Sequence, residues 1–303
     1  MSNTRINRKE IITICMIPIL LWGIQAGMYI IFNTIATQND ALNGYDGSYK
    51  GICSCITYVI YIGIFALLYA KRKWDYQSNT KCTGYSFKRS LEKMKQSSPS
   101  FFALITIMMI LIVTLGFALQ AAVTGILQII MYANPDILSS YNDMINSSFG
   151  SAVGIFNIFA VAVLAPIAEE LAFRGFGMSV AARMFYKPAK TDFKGLKTQG
   201  NSHPIKSYMT CILIISLLFG LYHGNIVQIL YAFPMGILLG YLTVLFSTIM
   251  PSILLHITIN TSAYLLPDIL YQTKEMTVFT LIISLIYAVA AIFIIQVLTT
   301  RKN

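Results

Sequence analysis

Ala168-Glu169-Glu170-Leu171-Ala172-Phe173-Arg174-Gly175 lies inside a long apolar segment that begins near Ala152. Three ionisable side chains in six residues of such a segment need a reason. A single charge at the centre of a bilayer costs at least ~2.5–3.5 kcal/mol, and intramembrane ionisable groups generally mark function. Helical spacing gives the three different tasks. Glu170 and Arg174 are four residues apart, so they share a face and can pair. Glu169 is turned about 100° from Glu170 and has no such partner. The stretch reads as one carboxylate tied down and one left for chemistry. The other reading is a structural ion pair with Glu169 paired elsewhere in the bundle.

The rest of the chain fits a membrane setting. Of 303 residues, 56% are hydrophobic and 11% charged, against ~25% charged in an ordinary soluble domain. Eight apolar segments are expected to span, at about 11–32, 53–70, 101–122, 152–174 (continuing to about 186), 208–223, 226–246, 252–266 and 277–298. Each is near the ~20 residues that cross the hydrocarbon, with the fifth and seventh short. The expected fold is therefore all-α and polytopic, about eight transmembrane helices forming a single membrane domain over 1–303. Residues 1–133 carry the first spans, 150–266 the polar core, and 277–303 the last span and a basic tail. Residues 123–133 prolong the third span as a tilted or interfacial helix, and Asn134-Pro135-Asp136 breaks it.

The net charge of +10 raises nucleic acid only until the charges are placed. They fall in loops: Arg5, Arg8 and Lys9 before the first span, 71–95 after the second, 187–206 after the fourth, and Arg301 and Lys302 at the end. The opposite side has Lys50 and Lys274. This alternation is a topology signal that puts both termini in the cytoplasm, and no nucleic-acid partner is expected. Five cysteines (Cys15, Cys53, Cys55, Cys82, Cys211) show no metal-type pair and read as small apolar fillers.

Few other polar groups in the spans can do acid–base chemistry. His203 is in a basic loop. His223 closes Phe219-Gly220-Leu221-Tyr222-His223, and His256 shares a helical face with Asn260. Convergence of the fourth, fifth and seventh spans would join a carboxylate, two imidazoles and an amide. Such a set suits hydrolysis of a peptide bond. Glu169 takes a proton from water, His223 shares or orients that water, and His256 with Asn260 donates to the developing oxyanion. Glu169, His223 and His256 are also a possible ligand set for a divalent metal such as Zn²⁺, although Asn260 is explained better by the oxyanion role.

The ordered set of Glu169-Glu170 with Arg174, Phe219 with His223, and His256 with Asn260 resembles the CPBP intramembrane proteases, the group of type II CAAX prenyl proteases and bacteriocin-processing proteins. The resemblance implies an eight-helix intramembrane endopeptidase acting on a membrane-associated peptide or protein. It implies catalytic roles for Glu169, His223, His256 and Asn260, and motif support from Glu170, Arg174 and Phe219. It leaves open a glutamate-dependent or a metal-dependent mechanism. The composition suggests a bacterial cytoplasmic membrane. A non-catalytic peptide-binding or bacteriocin self-immunity protein, and more remotely a proton-coupled transporter, are the alternatives. One geometric difficulty stands: straight, full-length spans would hold His223 near the outer surface and His256 near the inner one. The turn 247–252 would have to be recessed into a cavity.

Overall fold

The computed structural model describes residues 8–38, 46–73, 99–136, 154–185, 204–266 and 268–300. The basic stretches 74–98 and 186–203, with Cys82 and His203, and the expected outer loop 137–153 lie outside these residues. Eight helices make up nearly all of what is described: α1 Arg8–Thr37, α2 Asp46–Arg72, α3 Pro99–Ala133, α4 Ile155–Phe185, α5 Pro204–Tyr222, α6 Ile226–Phe246, α7 Met250–Ser262 and α8 Lys274–Thr300. A short 3-10 turn, Asp268–Tyr271, joins α7 to α8. No strand occurs among the described residues.

Six helices are long and apolar enough to cross a membrane: α1, α2, α3, α4, α6 and α8. Their outward faces carry large apolar side chains such as Tyr29, Leu67, Phe279 and Val289, all more than 60% exposed. In lipid this is the expected surface, and helices satisfy their backbone internally there. The chain is an integral, multi-pass membrane protein. The segment 123–133 continues α3 without a break. The seventh segment is shorter than 252–266 suggests. With 13 residues, α7 rises about 20 Å, too little to cross ~30 Å of hydrocarbon.

The helices pack around α4. Half of its apolar stretch is buried in the protein, against 22% for α1, α2, α3 and α8. One core cluster joins α1, α2, α4, α5 and α6 through residues such as Leu21, Phe65, Phe173 and Ile215. A second joins α3, α6, α7 and α8 through Leu115, Leu242, Leu255 and Ala288. Small residues set the closest approaches. A Cβ on Gly116 would lie 2.7 Å from Thr258, so glycine lets α3 lie against α7. The Gly236-x-x-x-Gly240 pattern packs α6 inside the bundle. Gly236 faces Ser216 and Arg174, and Gly240 faces Ile212 and Met178.

Candidate active site in the membrane helices

α4 is not a uniform helix. It is α-helical over Ile155–Phe159, Ala165–Glu169 and Met178–Phe185, and has wider π-type turns over Ala160–Leu164 and Glu170–Gly177. π-Bulges occur frequently at functional sites. Pro166 gives the first of them a local cause. In the i→i+5 pattern the carbonyl of Val161 would accept from residue 166, but proline has no N–H. Asn260 supplies the missing donor, its Nδ2 donating to the Val161 carbonyl at 3.0 Å. The change of pitch after Glu169 falls between the two glutamates.

The expected Glu170–Arg174 pair is present. Arg174 Nη1 lies 2.8 Å from Glu170 Oε1, and both side chains are fully buried. The guanidinium is stacked on Phe219, with Cζ 4.1 Å from the ring centroid. Arginine suits this position because its planar group can pair and stack at once. The bare backbone of Gly236 opposite makes room, since a Cβ there would come within 3.2 Å of Arg174 Nη2.

Glu170 has a second partner that spacing along one helix could not reveal. It accepts from His256 Nδ1 at 3.0 Å. That bond turns the other ring nitrogen, Nε2, toward Glu169 Oε2, which is 3.7 Å away. Glu169 itself is mostly buried, with 11% of its side chain exposed. The adjacent carboxylates therefore divide their surroundings, Glu170 into the packed interior and Glu169 onto the wall of a cavity.

His223 sits just past the end of α5. Its Nδ1 is 2.8 Å from the Phe219 carbonyl. A carbonyl can only accept, so Nδ1 carries the hydrogen and Nε2 keeps a lone pair in the neutral ring. Gly224 then adopts a left-handed conformation, φ 68°, which glycine accepts without strain. Asn225 caps α6 by accepting from the amides of Val227 and Gln228. The tight turn fixes His223 at the joint of two helices. α1 supports this joint from outside: Trp22 Nε1 donates to the Tyr222 carbonyl at 3.0 Å and its ring stacks on Tyr222.

The difficulty over His223 and His256 is resolved by the start of α7. Ser247 is left-handed, φ 55°, and Phe246 and Ile249 are buried on either side of the turn. The turn carries Met250 on the surface, 67% exposed, and directs His256, 7% exposed, into the bundle. Phe219 makes edge contacts with both rings, at 4.9 Å to His223 and 5.8 Å to His256.

Glu169, His223, His256 and Asn260 line one cavity of about 440 Å³. Tyr58, Gln120, Gln228 and Tyr264 add further polar groups to its wall. Sequence reasoning did not single these out. Tyr58 and Tyr264 look like ordinary span aromatics, but Gln120, an amide deep in the third span, was a readable signal. Among the described residues no group of three or more His, Cys, Asp and Glu side chains is arranged to hold a metal ion. The Glu169, His223 and His256 set does not converge as metal ligands in this arrangement.

Buried acid–base groups thus meet at one cavity among apolar, membrane-length helices. Residues 151–262 match the family model of the Rce1-like type II CAAX prenyl endopeptidases. This part of the chain is thus similar to that family, which is consistent with the CPBP intramembrane proteases. No curated protein and no solved structure matches the chain.

Proposed function

We propose that this protein is an intramembrane endopeptidase that hydrolyses a peptide bond of a membrane-associated protein or peptide, with Glu169 as the base. The observation that carries this is the meeting of Glu169, His223, His256 and Asn260 on one cavity within the helices. Water in that cavity gives a proton to the Glu169 carboxylate as its oxygen attacks the substrate carbonyl carbon. Positioned proton transfer of this kind is worth ~10²–10⁴ in rate. The free Nε2 of His223 accepts a hydrogen bond from the same water and fixes its direction. The carbonyl oxygen becomes an oxyanion. Asn260 has one amide hydrogen committed to Val161 and a second available to that oxyanion. His256, held through Nδ1 by Glu170, donates from Nε2 when both its nitrogens carry protons. Protonated Glu169 then returns its proton to the leaving amine. Glu170 and Arg174 are positioning residues, because both are fully buried behind the cavity wall, and Phe219 lines the cavity and holds the two histidine rings by edge contacts. A prenyl group on the substrate is not required by this chemistry.

The test compares protein and peptide termini in cells carrying wild-type protein or Glu169→Ala at matched abundance. Termini that vanish in the variant support hydrolysis and identify the substrate. Identical termini, with the biological effect of the protein retained, would replace this reading with peptide binding or immunity.

A further inference from the structure

The cavity has a direction. It has no lining residue before Gln120 in α3, after Glu169 in α4, before Phe219 in α5, after Leu239 in α6 or before His256 in α7. Its walls instead run to Leu127, Val161, Gln228 and Tyr264. These mark one end of the bundle, where α3, α5 and α7 finish and α4 and α6 begin. Tyr264 is 45% exposed at this end. Toward the other end the floor is solid, since Phe173, Arg174, Met178 and Ile215 are all no more than 1% exposed.

The charges of the chain are distributed along the same axis. The closed end is where Arg72 meets Glu10 and Arg183 donates to the Arg72 carbonyl. Of the 22 lysines and arginines, Lys50 and Lys274 stand at the open end and Arg174 in the site. All the others belong to the closed end and the segments joined to it. In sequence, the segments that adjoin the open end carry Asp40, Asp46, Asp136, Asp143, Asp268 and Glu275. Lysine and arginine in short loops mark the cytoplasmic side, a bias set by those residues and not by net charge. The closed floor therefore faces the cytoplasm, and the mouth faces away from it. Two lysines against six carboxylates give the sequence on that side a net negative charge, and charge of one sign attracts a partner of the other.

We infer that the cavity is loaded from the extracytoplasmic face, past His223 and Tyr264, by a neutral or cationic peptide segment. This rests on the hydrolysis reading above for the word substrate, but the direction of the mouth does not. An acidic segment would meet repulsion from the net negative charge on that side and from Glu169 in the cavity.

The experiment has two arms. Gln272→Cys and Leu265→Cys place thiols at the open end, at exposed positions outside the cavity wall. The native Cys82, in the basic stretch after α2, is the reference for the other side. A membrane-impermeant maleimide is applied to intact cells and to inverted membrane vesicles, and labelled sites are located by mass spectrometry. The expected result is labelling of both introduced thiols in intact cells and of Cys82 in inverted vesicles alone. The reverse pattern overturns the inference. In the second arm, termini that depend on Glu169 are mapped onto their parent proteins. Cleavage points on the extracytoplasmic side, in segments without net negative charge, are expected. Cleavage points on the cytoplasmic side, or in acidic segments, contradict the proposed loading. If no terminus depends on Glu169, the hydrolysis reading fails while the labelling still decides which face the mouth serves.

Discussion

Glu169 and Glu170 are adjacent in sequence and belong to two different regions of the protein. Around Glu170 everything is packed: Arg174 at 2.8 Å, His256 at 3.0 Å and the Phe219 ring over the guanidinium. Around Glu169 there is space, with His223, Asn260 and a cavity of about 440 Å³. The packed region ties Glu170 Oε1 to both Arg174 and His256. The open region places Glu169, His223, His256 and Asn260 along the cavity wall. One six-residue motif can thus build both a packed scaffold and a cavity wall, because the helix turns between its two carboxylates.

Breaking the packed side should show mostly as lost stability. Arg174→Ala leaves Glu170 buried without its closest partner, and removing one member of a buried ion pair costs ~3–5 kcal/mol. The expected outcome is a large fall in thermal stability in detergent and poor accumulation in membranes. Breaking the open side should show mostly as lost rate. His223→Ala is expected to slow product formation by ~10²–10⁴ with thermal unfolding close to wild type, measured on matched amounts of protein. A smaller effect is expected from Gly236→Ala. Its Cβ would lie 3.0 Å from Ser216 and 3.2 Å from Arg174, and overpacking of this kind costs ~1–3 kcal/mol. Thermal unfolding would register it, and an unchanged midpoint would show that the contact between α6 and Arg174 is slack. The smallest effect is expected from Trp22→Phe, which removes the hydrogen bond to the Tyr222 carbonyl, worth ~1 kcal/mol. It sharpens the comparison, because Tyr222 adjoins both regions. Activity should fall more than stability if α1 positions His223.

Parts of this division were legible in the sequence. The Glu170–Arg174 pair follows from a four-residue spacing that survives the wider turns of α4. The helices were legible because long apolar runs allow little else in lipid, and the shortness of the seventh was visible as a short run. The link from Glu170 to His256 was not legible. It joins residues 86 positions apart, and spacing along one helix carries no information about contacts between helices. The π-type turns were also hidden, since apolar periodicity does not separate i→i+4 from i→i+5 over a single turn. Pro166 was the available clue, and Asn260 completes its meaning only once α7 is seen beside α4. The role of Trp22 at the His223 joint was hidden because an aromatic residue in an apolar span looks like ordinary packing.

The most direct test sets the two neighbouring glutamates against each other. Glu169→Gln and Glu170→Gln are purified in parallel, and each is measured for thermal unfolding and for formation of the Glu169-dependent products. If Glu169 is the base and Glu170 the buried anchor, Glu169→Gln unfolds like wild type and forms no product, while Glu170→Gln unfolds at a clearly lower temperature. Product formed at the wild-type rate by Glu169→Gln would contradict that assignment.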